Sequence, residues 1–244
     1  EAKKDTGSIW GKNENANILS LENFDFSKKI LYHPEKITAY KEGKRPFPTT
    51  IEVDLTNRCN HRCSFCYYAE HIGVEADKPS LDTELLKDRL VEAKKLGTKA
   101  ISFTGGGEPT IHKDYLELIK FTNEIGFDVG TITNGSAITE RNVDIIIKNL
   151  QWIRISMAGG DAESYSKVQG VDQFEKIVSN LKLLSKKKAE IDPNFNIGVR
   201  TLVTPDNIYS LEEFAGIIKN LNVDYWQLAP DHFTNDKGRF WNDE

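Results

Sequence analysis

The sequence predicts an α/β fold in which six parallel strands are joined by helices. Six short apolar segments, rich in β-branched residues, are typical of buried strands. The longer segments between them carry apolar residues at helical spacing. Strands that alternate with helices favour right-handed crossovers and a parallel sheet. The pattern alone fits either an open doubly wound sheet or a curved partial barrel.

The predicted elements follow one another from residue 50 onward. We expect strands at 50–55, 99–103, 127–133, 152–157, 195–203 and 223–229. We expect helices at 81–97, 113–126, 139–150 and 210–221, and one or two helices within 161–188. Thr139 is a typical residue for a helix start, and Ser210 with Glu213 forms a capping-box pattern.

The chain is expected to contain one large domain. Residues 1–48 form an N-terminal segment that is polar and partly mobile, and residues 49–244 form the core. No helix is written after the sixth strand, so we expect the natural sequence to continue past Glu244. In either architecture, functional loops follow the carboxyl ends of the strands, which directs attention to that rim.

Composition and charge limit the possible partners. The chain is 39% hydrophobic and 28% charged, as is ordinary for a globular protein. Its net charge of -5 argues against a nucleic-acid binder held by phosphate contacts. No apolar run reaches the roughly 18 residues that suggest a membrane span. We therefore expect neither a nucleic-acid partner nor a membrane partner.

The three cysteines of the chain all lie within eight residues, as Cys59, Cys63 and Cys66. An odd, clustered set is a poor disulfide framework and indicates a metal or cluster site in a reducing cytoplasm. A structural zinc ion needs four ligands, and His61 is too close in sequence to complete a tetrahedron easily. A cubane iron-sulfur cluster held by three thiolates keeps one iron open to a small molecule. Zinc and incidental thiols remain the alternatives.

Two motifs on consecutive strands resemble the radical S-adenosylmethionine (radical SAM) superfamily. CNHRCSFC (59–66) is similar to that family's CxxxCxxC signature, and GGGEP (105–109) looks like its GGEP motif. The resemblance covers roughly residues 50 to 230 and implies a partial (β/α)6 TIM-type barrel. It also implies a [4Fe-4S] cluster and S-adenosyl-L-methionine (SAM) as cofactors. Reductive cleavage of SAM would then yield a 5′-deoxyadenosyl radical that abstracts hydrogen from substrate.

The resemblance assigns roles to individual residues. It makes the three cysteines the cluster ligands and places the backbone of the three glycines against the methionine amino group of SAM. It gives Glu108 a part in holding the loop, Phe65 a main-chain contact with adenine, and Ser156 a contact with SAM. The glycines are Gly105, Gly106 and Gly107. Asn134 is either a ribose contact or a residue chosen for turn geometry before Gly135.

This chain departs from the family pattern at two places after the fourth strand. Related enzymes often read S-x-D, whereas here Ala158 stands where the acid would be. Gln169 precedes Gly170 where a basic residue is common, so Lys167 or Arg200 is the candidate partner for the SAM carboxylate. The motifs look most like the branch that often carries a C-terminal SPASM or Twitch extension with auxiliary clusters, and no further cysteine is present in this sequence.

Candidate substrate-facing residues follow the cysteines and the later strands. Asp231 and His232 directly follow the sixth strand and are the best candidates for an acid or base. Arg200 lies within a strand, so an inward orientation would require an anionic partner, either SAM or a substrate phosphate. Other candidates are Tyr67, Tyr68, Glu70, His71, His112 and Arg154.

Three functional hypotheses follow. The first is a radical SAM enzyme that acts on a small polar metabolite, such as a sugar or sugar nucleotide. The second is a radical SAM enzyme that modifies a ribosomally made peptide. The third is a non-catalytic iron-sulfur or zinc protein. The first two require an external one-electron reductant of the flavodoxin or ferredoxin type. Because this segment has no cysteine beyond the ligands, net epimerisation through hydrogen return from a thiol is disfavoured within it, and a tyrosine donor remains open.

Overall fold

The computed structural model describes residues 31–69, 71–73 and 78–231. The chain divides into two compact units, Glu1–Pro46 and Phe47–Glu244. The first unit contains helix α1 (Pro34–Lys41), which begins with a proline, where the missing N–H has no helical partner to lose. His232 and Glu70, which the sequence made candidates, lie outside the described residues.

The second unit is built on a parallel sheet of six strands whose order in space is their order in sequence. The strands are β1 (Thr50–Asp54), β2 (Ala100–Thr104), β3 (Asp128–Thr133), β4 (Trp152–Ser156), β5 (Asn196–Val203) and β6 (Tyr225–Pro230). A doubly wound sheet reverses its strand order at a switch point, and this sheet does not. The structure thus confirms the α/β prediction and selects the partial (β/α)6 TIM-type barrel.

Helices follow the strands along the described part of the second unit. They are α2 (Thr83–Lys95), α3 (Tyr115–Glu124), α4 (Val143–Asn149), α5 (Ala162–Gln169), α6 (Phe174–Ile191) and α7 (Leu211–Ile218). Single-turn 3-10 helices lie at Pro109–Ile111 and Ile208–Ser210. The segment 161–188 therefore contains two helices, which separate at Gly170, where the backbone takes a left-handed φ of 69°.

One predicted helix start and one predicted capping box were wrong. The fourth helix begins at Val143 because Asn142 Oδ1 accepts a 2.8 Å hydrogen bond from the Thr139 N–H and holds 139–142 in a turn. The predicted capping box at α7 is absent, because the Ser210 hydroxyl is used elsewhere. It donates to the Asn207 carbonyl at 2.8 Å and accepts from the Gly160 N–H at 2.9 Å.

The two faces of the sheet differ in chemistry because side chains alternate along each strand. One face is apolar and packs against the helices; Val53, Ile101, Val129, Ile153 and Val199 lie on it. The pairing of the strands places polar and charged residues together on the opposite face, here called the polar face; they include Glu52, Ser102, Arg154, Ser156, Arg200 and Gln227. Within the described ranges, no helix has the length and apolar character that a membrane crossing needs.

Candidate functional site

The cysteines lie in a loop between β1 and α2, here called the cysteine loop (residues 56–69). This loop is held by backbone hydrogen bonds to other segments. The Cys59 N–H donates to the Gly73 carbonyl at 2.7 Å. The Ser64 N–H donates to the Val168 carbonyl at 2.8 Å, and the Arg62 N–H donates to the Gln169 backbone carbonyl at 3.1 Å. The end of α5 therefore fixes the middle of the cysteine loop.

Gly170 permits this contact between α5 and the cysteine loop. A Cβ atom at Gly170 would lie 2.4 Å from the Arg62 carbonyl oxygen, closer than real Cβ contacts. Its left-handed φ is also one that side chains disfavour. The glycine that ends α5 is thus a requirement of the cysteine loop as well as of the helix.

The thiols are partly buried and interact with one another. Burial raises the pKa of Cys63 to about 12, and the neighbouring Cys59 and Cys66 add to the rise. Burial is also the main cause of the raised pKa of Cys59. A buried thiolate is costly to form without a nearby cation, so these thiols fit a metal centre, which displaces their protons. Among the described residues, no three His, Cys, Asp or Glu side chains converge as ligands of one ion. A cubane cluster does not need such convergence, because each thiolate binds a different iron.

The glycine loop (residues 105–109) follows β2 and packs directly on the start of the cysteine loop. The Gly107 N–H donates to the Thr56 carbonyl at 2.8 Å, and the Glu108 N–H donates to the Arg58 carbonyl at 2.8 Å. A Cβ at Gly107 would lie 2.1 Å from the Arg58 oxygen. The absence of side chains lets this backbone lie against the loop that carries the cysteines. The SAM contacts predicted for Gly105, Gly106 and Gly107 remain predictions.

Glu108 is buried, with 3% of its surface exposed, and its carboxylate joins its own loop to the end of β3. One oxygen accepts hydrogen bonds from the Thr133 hydroxyl at 2.5 Å and the Thr110 N–H at 3.0 Å. The other accepts from the Asn134 N–H at 2.7 Å. Burial raises the pKa of this carboxyl, and the hydrogen bonds oppose that rise. These contacts give Glu108 a structural place at the rim, between the loops after β2 and β3.

Asn134 and His61 form a buried network that the sequence did not indicate. Asn134 Nδ2 donates to Asn60 Oδ1 at 2.8 Å and to Nδ1 of His61. The neutral His61 ring then carries its proton on Nε2, which lies 3.2 Å from the Tyr165 hydroxyl. Burial lowers the pKa of His61 to about 4, so its ring is neutral near pH 7. The network fixes the cysteine loop from the inside.

The side chain of Asn134 serves the turn after β3. Its Oδ1 accepts a 2.9 Å hydrogen bond from the Ser136 N–H, and Gly135 has a φ of 76°. These are the features of the turn-geometry alternative that the sequence left open. The ribose contact of Asn134 remains a prediction, and it would have to use an atom already in this network.

Gln169, the last residue of α5, stands in place of the basic residue expected from the family pattern, and its side chain contacts the end of β4. Its Oε1 accepts a 2.7 Å hydrogen bond from the Ala158 N–H, and its Nε2 donates to the Ser156 carbonyl at 3.4 Å. Lys167 forms a 2.7 Å ion pair with Asp206 on the surface. Of the two candidates for an anion partner, Arg200 is therefore the one that lies on the polar face, in register with Ser156.

The remaining candidates occupy different surroundings. Asp231 is buried at the end of β6, where its N–H donates to the Val203 carbonyl at 3.1 Å. His112 is engaged locally, since its Nε2 lies 3.1 Å from the Leu81 carbonyl and its Nδ1 accepts from the Asp114 N–H. Phe65 is half-buried in the cysteine loop. The contacts of Phe65, Ser156 and Asp231 with cofactor or substrate remain predictions.

The radical SAM superfamily model matches residues 53–215, which is most of the chain and includes both motifs. The chain belongs to the radical SAM superfamily. This membership confirms the prediction of an enzyme whose family cofactors are a [4Fe-4S] cluster and SAM. Three soft thiols in one loop, with a glycine backbone packed on the start of that loop, are a donor set that fits this cofactor pair.

The names of curated relatives of this radical SAM protein specify different activities. A tungsten-containing aldehyde ferredoxin oxidoreductase cofactor-modifying protein from Pyrococcus furiosus is 30% identical over 181 residues, covering 71% of this chain and 49% of that relative. A probable GTP 3′,8-cyclase from Thermococcus kodakarensis is 28% identical over 176 residues, covering 72% of this chain and 55% of that relative. The chain spans about half the length of the curated relatives it matches.

Solved radical SAM structures share the fold. SuiB of Streptococcus suis, in a crystal structure bound to S-adenosylmethionine, superposes with a TM-score of 0.65 at 18% identity, covering 84% of this chain and 47% of SuiB. The anSMEcpe protein, solved with AdoMet and a peptide, superposes with a TM-score of 0.58 at 18% identity, covering 75% of this chain and 50% of that one. At these identities the likeness shows the fold alone, and it confirms the partial barrel.

Proposed function

We propose that this radical SAM protein acts on a small polar metabolite, such as a sugar or sugar nucleotide. When bound, the cluster and SAM supply a 5′-deoxyadenosyl radical that abstracts hydrogen from the substrate. The polar face of the sheet carries the proposal, because charged and hydroxyl side chains line it below the rim that holds the cysteines. The cyclase relatives, whose names specify a nucleotide, also support a small polar substrate.

In this proposal each part of the rim has a task. Cys59, Cys63 and Cys66 hold the cluster, and the backbone of the glycine loop approaches the methionine part of SAM. Glu108 and Asn134 connect these two loops to the loop after β3 through hydrogen bonds. The cofactor contacts of Phe65, Ser156 and Arg200, and an acid or base role for Asp231 and His232, belong to the same proposal.

The cellular setting is also part of the proposal. A thiol-ligated cluster requires a reducing compartment, so we propose the cytoplasm, with a flavodoxin- or ferredoxin-type protein as electron donor. The alternative activity is modification of a ribosomally made peptide. A SuiB structure with its precursor peptide SuiA superposes on this chain, and at 17% identity it supports the fold without specifying a substrate.

The first test is anaerobic reconstitution with iron and sulfide, followed by dithionite, SAM and mass spectrometry of 5′-deoxyadenosine. We expect the wild type to form this product and the Cys63→Ala variant to form none. A wild-type protein with a full cluster that forms none would contradict the proposed activity. Sugar nucleotides, GTP and peptides are then added in turn, and stimulation by peptides alone would replace the metabolite with the alternative.

A further inference from the structure

Two arginines lie side by side on the polar face of the sheet. Arg200 of β5 is in register with Ser156 of β4, and Arg154 of β4 is in register with Gly198 of β5. Residues in register on neighbouring strands, and residues two apart on one strand, share a face. Arg154 and Arg200 therefore project from the same face, opposite the face against which the helices pack.

Both guanidinium groups have a buried atom without a partner. The Nε atoms of Arg154 and Arg200 are buried and make no hydrogen bond within the described part of the chain. Neither side chain forms an ion pair with another described residue. Burial lowers the pKa of Arg154, and the charge of Arg200 lowers it further, while Tyr225 and Glu52 oppose the change. Both side chains are half-buried, and a desolvated donor atom without a partner is costly, so the fold carries a cost here that a bound anion would offset.

A third unpartnered polar atom lies on the same face. Ser102 of β2 is 5% exposed, and its buried Oγ makes no hydrogen bond within the described residues. Ser102 is in register with Gly130 of β3, which in turn is in register with Trp152 of β4. Two guanidinium Nε atoms and a hydroxyl on one face are thus buried without a hydrogen-bond partner within the described residues, whereas buried polar atoms are normally paired.

Aromatic rings close the same face on the side of the strand starts. A Cβ at Gly130 would lie 2.0 Å from the Trp152 ring, and a Cβ at Gly198 would lie 2.1 Å from the Tyr225 ring. Each ring therefore covers a glycine of the neighbouring strand. Arg154 follows Trp152 by two residues, about 6.6 Å along the strand towards the cysteine rim. The arginines consequently lie between the Trp152 ring and the rim, and Tyr225 lies at the level of Arg154, because both are in register with Gly198.

We propose that Arg154 and Arg200 bind an anionic group, a phosphate or a carboxylate, of the substrate on the polar face, with Ser102 as an additional donor. The proposal rests on the proposed function, because it places this group below the cofactor rim. Guanidinium forks match the paired oxygens of phosphate and carboxylate. The carboxylate of SAM is the other source of this chemistry, and it would occupy Arg200 alone at the level of Ser156.

The test measures the melting temperature of the cluster-loaded protein against inorganic phosphate, with sodium chloride holding the ionic strength constant. A ligand that binds the native state raises the melting temperature, and the rise grows with the logarithm of the ligand concentration divided by its Kd. The variants are Arg154→Gln, Arg200→Gln and the double variant. Arg141→Gln is the matched control, because Arg141 is an exposed arginine in the turn that precedes α4. The melting curve also reports whether each variant folds.

We expect phosphate to raise the melting temperature of the wild type and the control equally. Each single variant should weaken the apparent phosphate affinity about tenfold or more, the loss of one charged hydrogen-bonding group. The same proteins are titrated with SAM. Equal phosphate responses in the wild type and the double variant would overturn the proposal. Loss of the SAM response in Arg200→Gln with the phosphate response intact would also overturn it, since Arg200 would then serve SAM.

Failure of this proposal is distinguishable from failure of the proposed function. Phosphate binding that depends on the two arginines, in a protein that forms no 5′-deoxyadenosine, would retain the anion site and reject the activity. Formation of 5′-deoxyadenosine by the wild type without an arginine-dependent phosphate response would retain the activity and reject the anion site.

Discussion

The carboxylate of Glu108 accepts a 2.7 Å hydrogen bond from the backbone N–H of Asn134, so the loop after β2 is tied to the loop after β3. Asn134 in turn donates to Asn60 and His61 inside the cysteine loop. One carboxylate and one amide therefore connect the loops that follow the first three strands. The geometry of the rim depends on this chain of contacts more than on any regular element.

Replacing Glu108 with glutamine should destabilise the rim. A glutamine keeps one acceptor oxygen, so either the Asn134 N–H or the Thr133 hydroxyl loses its partner in a buried site. An unsatisfied buried donor costs about 1–3 kcal/mol, and for a domain of this size the melting temperature should fall by roughly 2–4 °C per kcal/mol. Glu140→Gln, at an exposed position, is the control. Equal melting temperatures for the two variants would contradict the role of Glu108.

Replacing Asn134 with aspartate should impair cluster assembly with little loss of folded protein. The substitution removes the two donated hydrogen bonds and directs a carboxylate oxygen at Asn60 Oδ1 and His61 Nδ1. We expect iron and sulfide content after reconstitution to fall at least severalfold. Asn220→Asp, on an exposed residue that bonds only within its own helix end, should load normally. Full cluster loading of the Asn134 variant would show that the network does not support the cysteine loop.

The parts of the site that could be predicted from the sequence are those whose motifs are contiguous along the chain. The cysteines and the GGGEP segment each carry their signal within a few residues, and the strand-helix alternation places both at one rim. The His61–Asn134–Tyr165 network joins residues 73 and 104 positions apart, so no local pattern reveals it. The pairing of Arg154 with Arg200 depends on strand register, which alternation within one strand does not specify. Ser210 fails as a cap because a distant backbone N–H uses its hydroxyl.

Replacing Gly107 with alanine should disrupt the rim, whereas the same change at Gly216 should stabilise the fold. A Cβ at Gly107 would overlap the backbone oxygens of Arg58 and Thr56, which are not free to move as a side chain is. Gly216 lies inside α7 with nothing within 4 Å of a Cβ. Alanine there should add roughly 0.5–1 kcal/mol by restricting the unfolded chain. Thermal unfolding and SAM titration of both variants test these expectations. Intact SAM binding by Gly107→Ala would contradict the predicted disruption of the rim.

Replacing Lys188 with methionine should destabilise the junction of α6 with the start of β6. Lys188 Nζ contacts both carboxylate oxygens of Asp224 at 2.6 Å, and the lysine side chain is 3% exposed. Asp224 also accepts from the Ile197 N–H at 2.6 Å. Removing one partner of a buried pair costs about 3–5 kcal/mol, and the 31% exposure of Asp224 reduces the expected loss to about 2 kcal/mol. Urea unfolding measures it, with the exposed Lys113→Met variant as control; a loss no larger than the control's would rule out a net stabilising pair.

Replacing Arg154 with methionine should raise stability while removing anion binding. Its Nε is buried without a hydrogen-bond partner, and burial together with Arg200 lowers the pKa of the guanidinium. A methionine keeps much of the apolar stem and removes the unpaired charge, so we expect a gain of about 1 kcal/mol and a melting temperature higher by roughly 2–4 °C. The same change at exposed Arg141 should alter neither property. Residues retained at a cost in stability are expected at functional sites. A fall in the melting temperature of Arg154→Met would mean that the guanidinium stabilises the unliganded fold, and no anion would then be needed to explain its presence on the polar face.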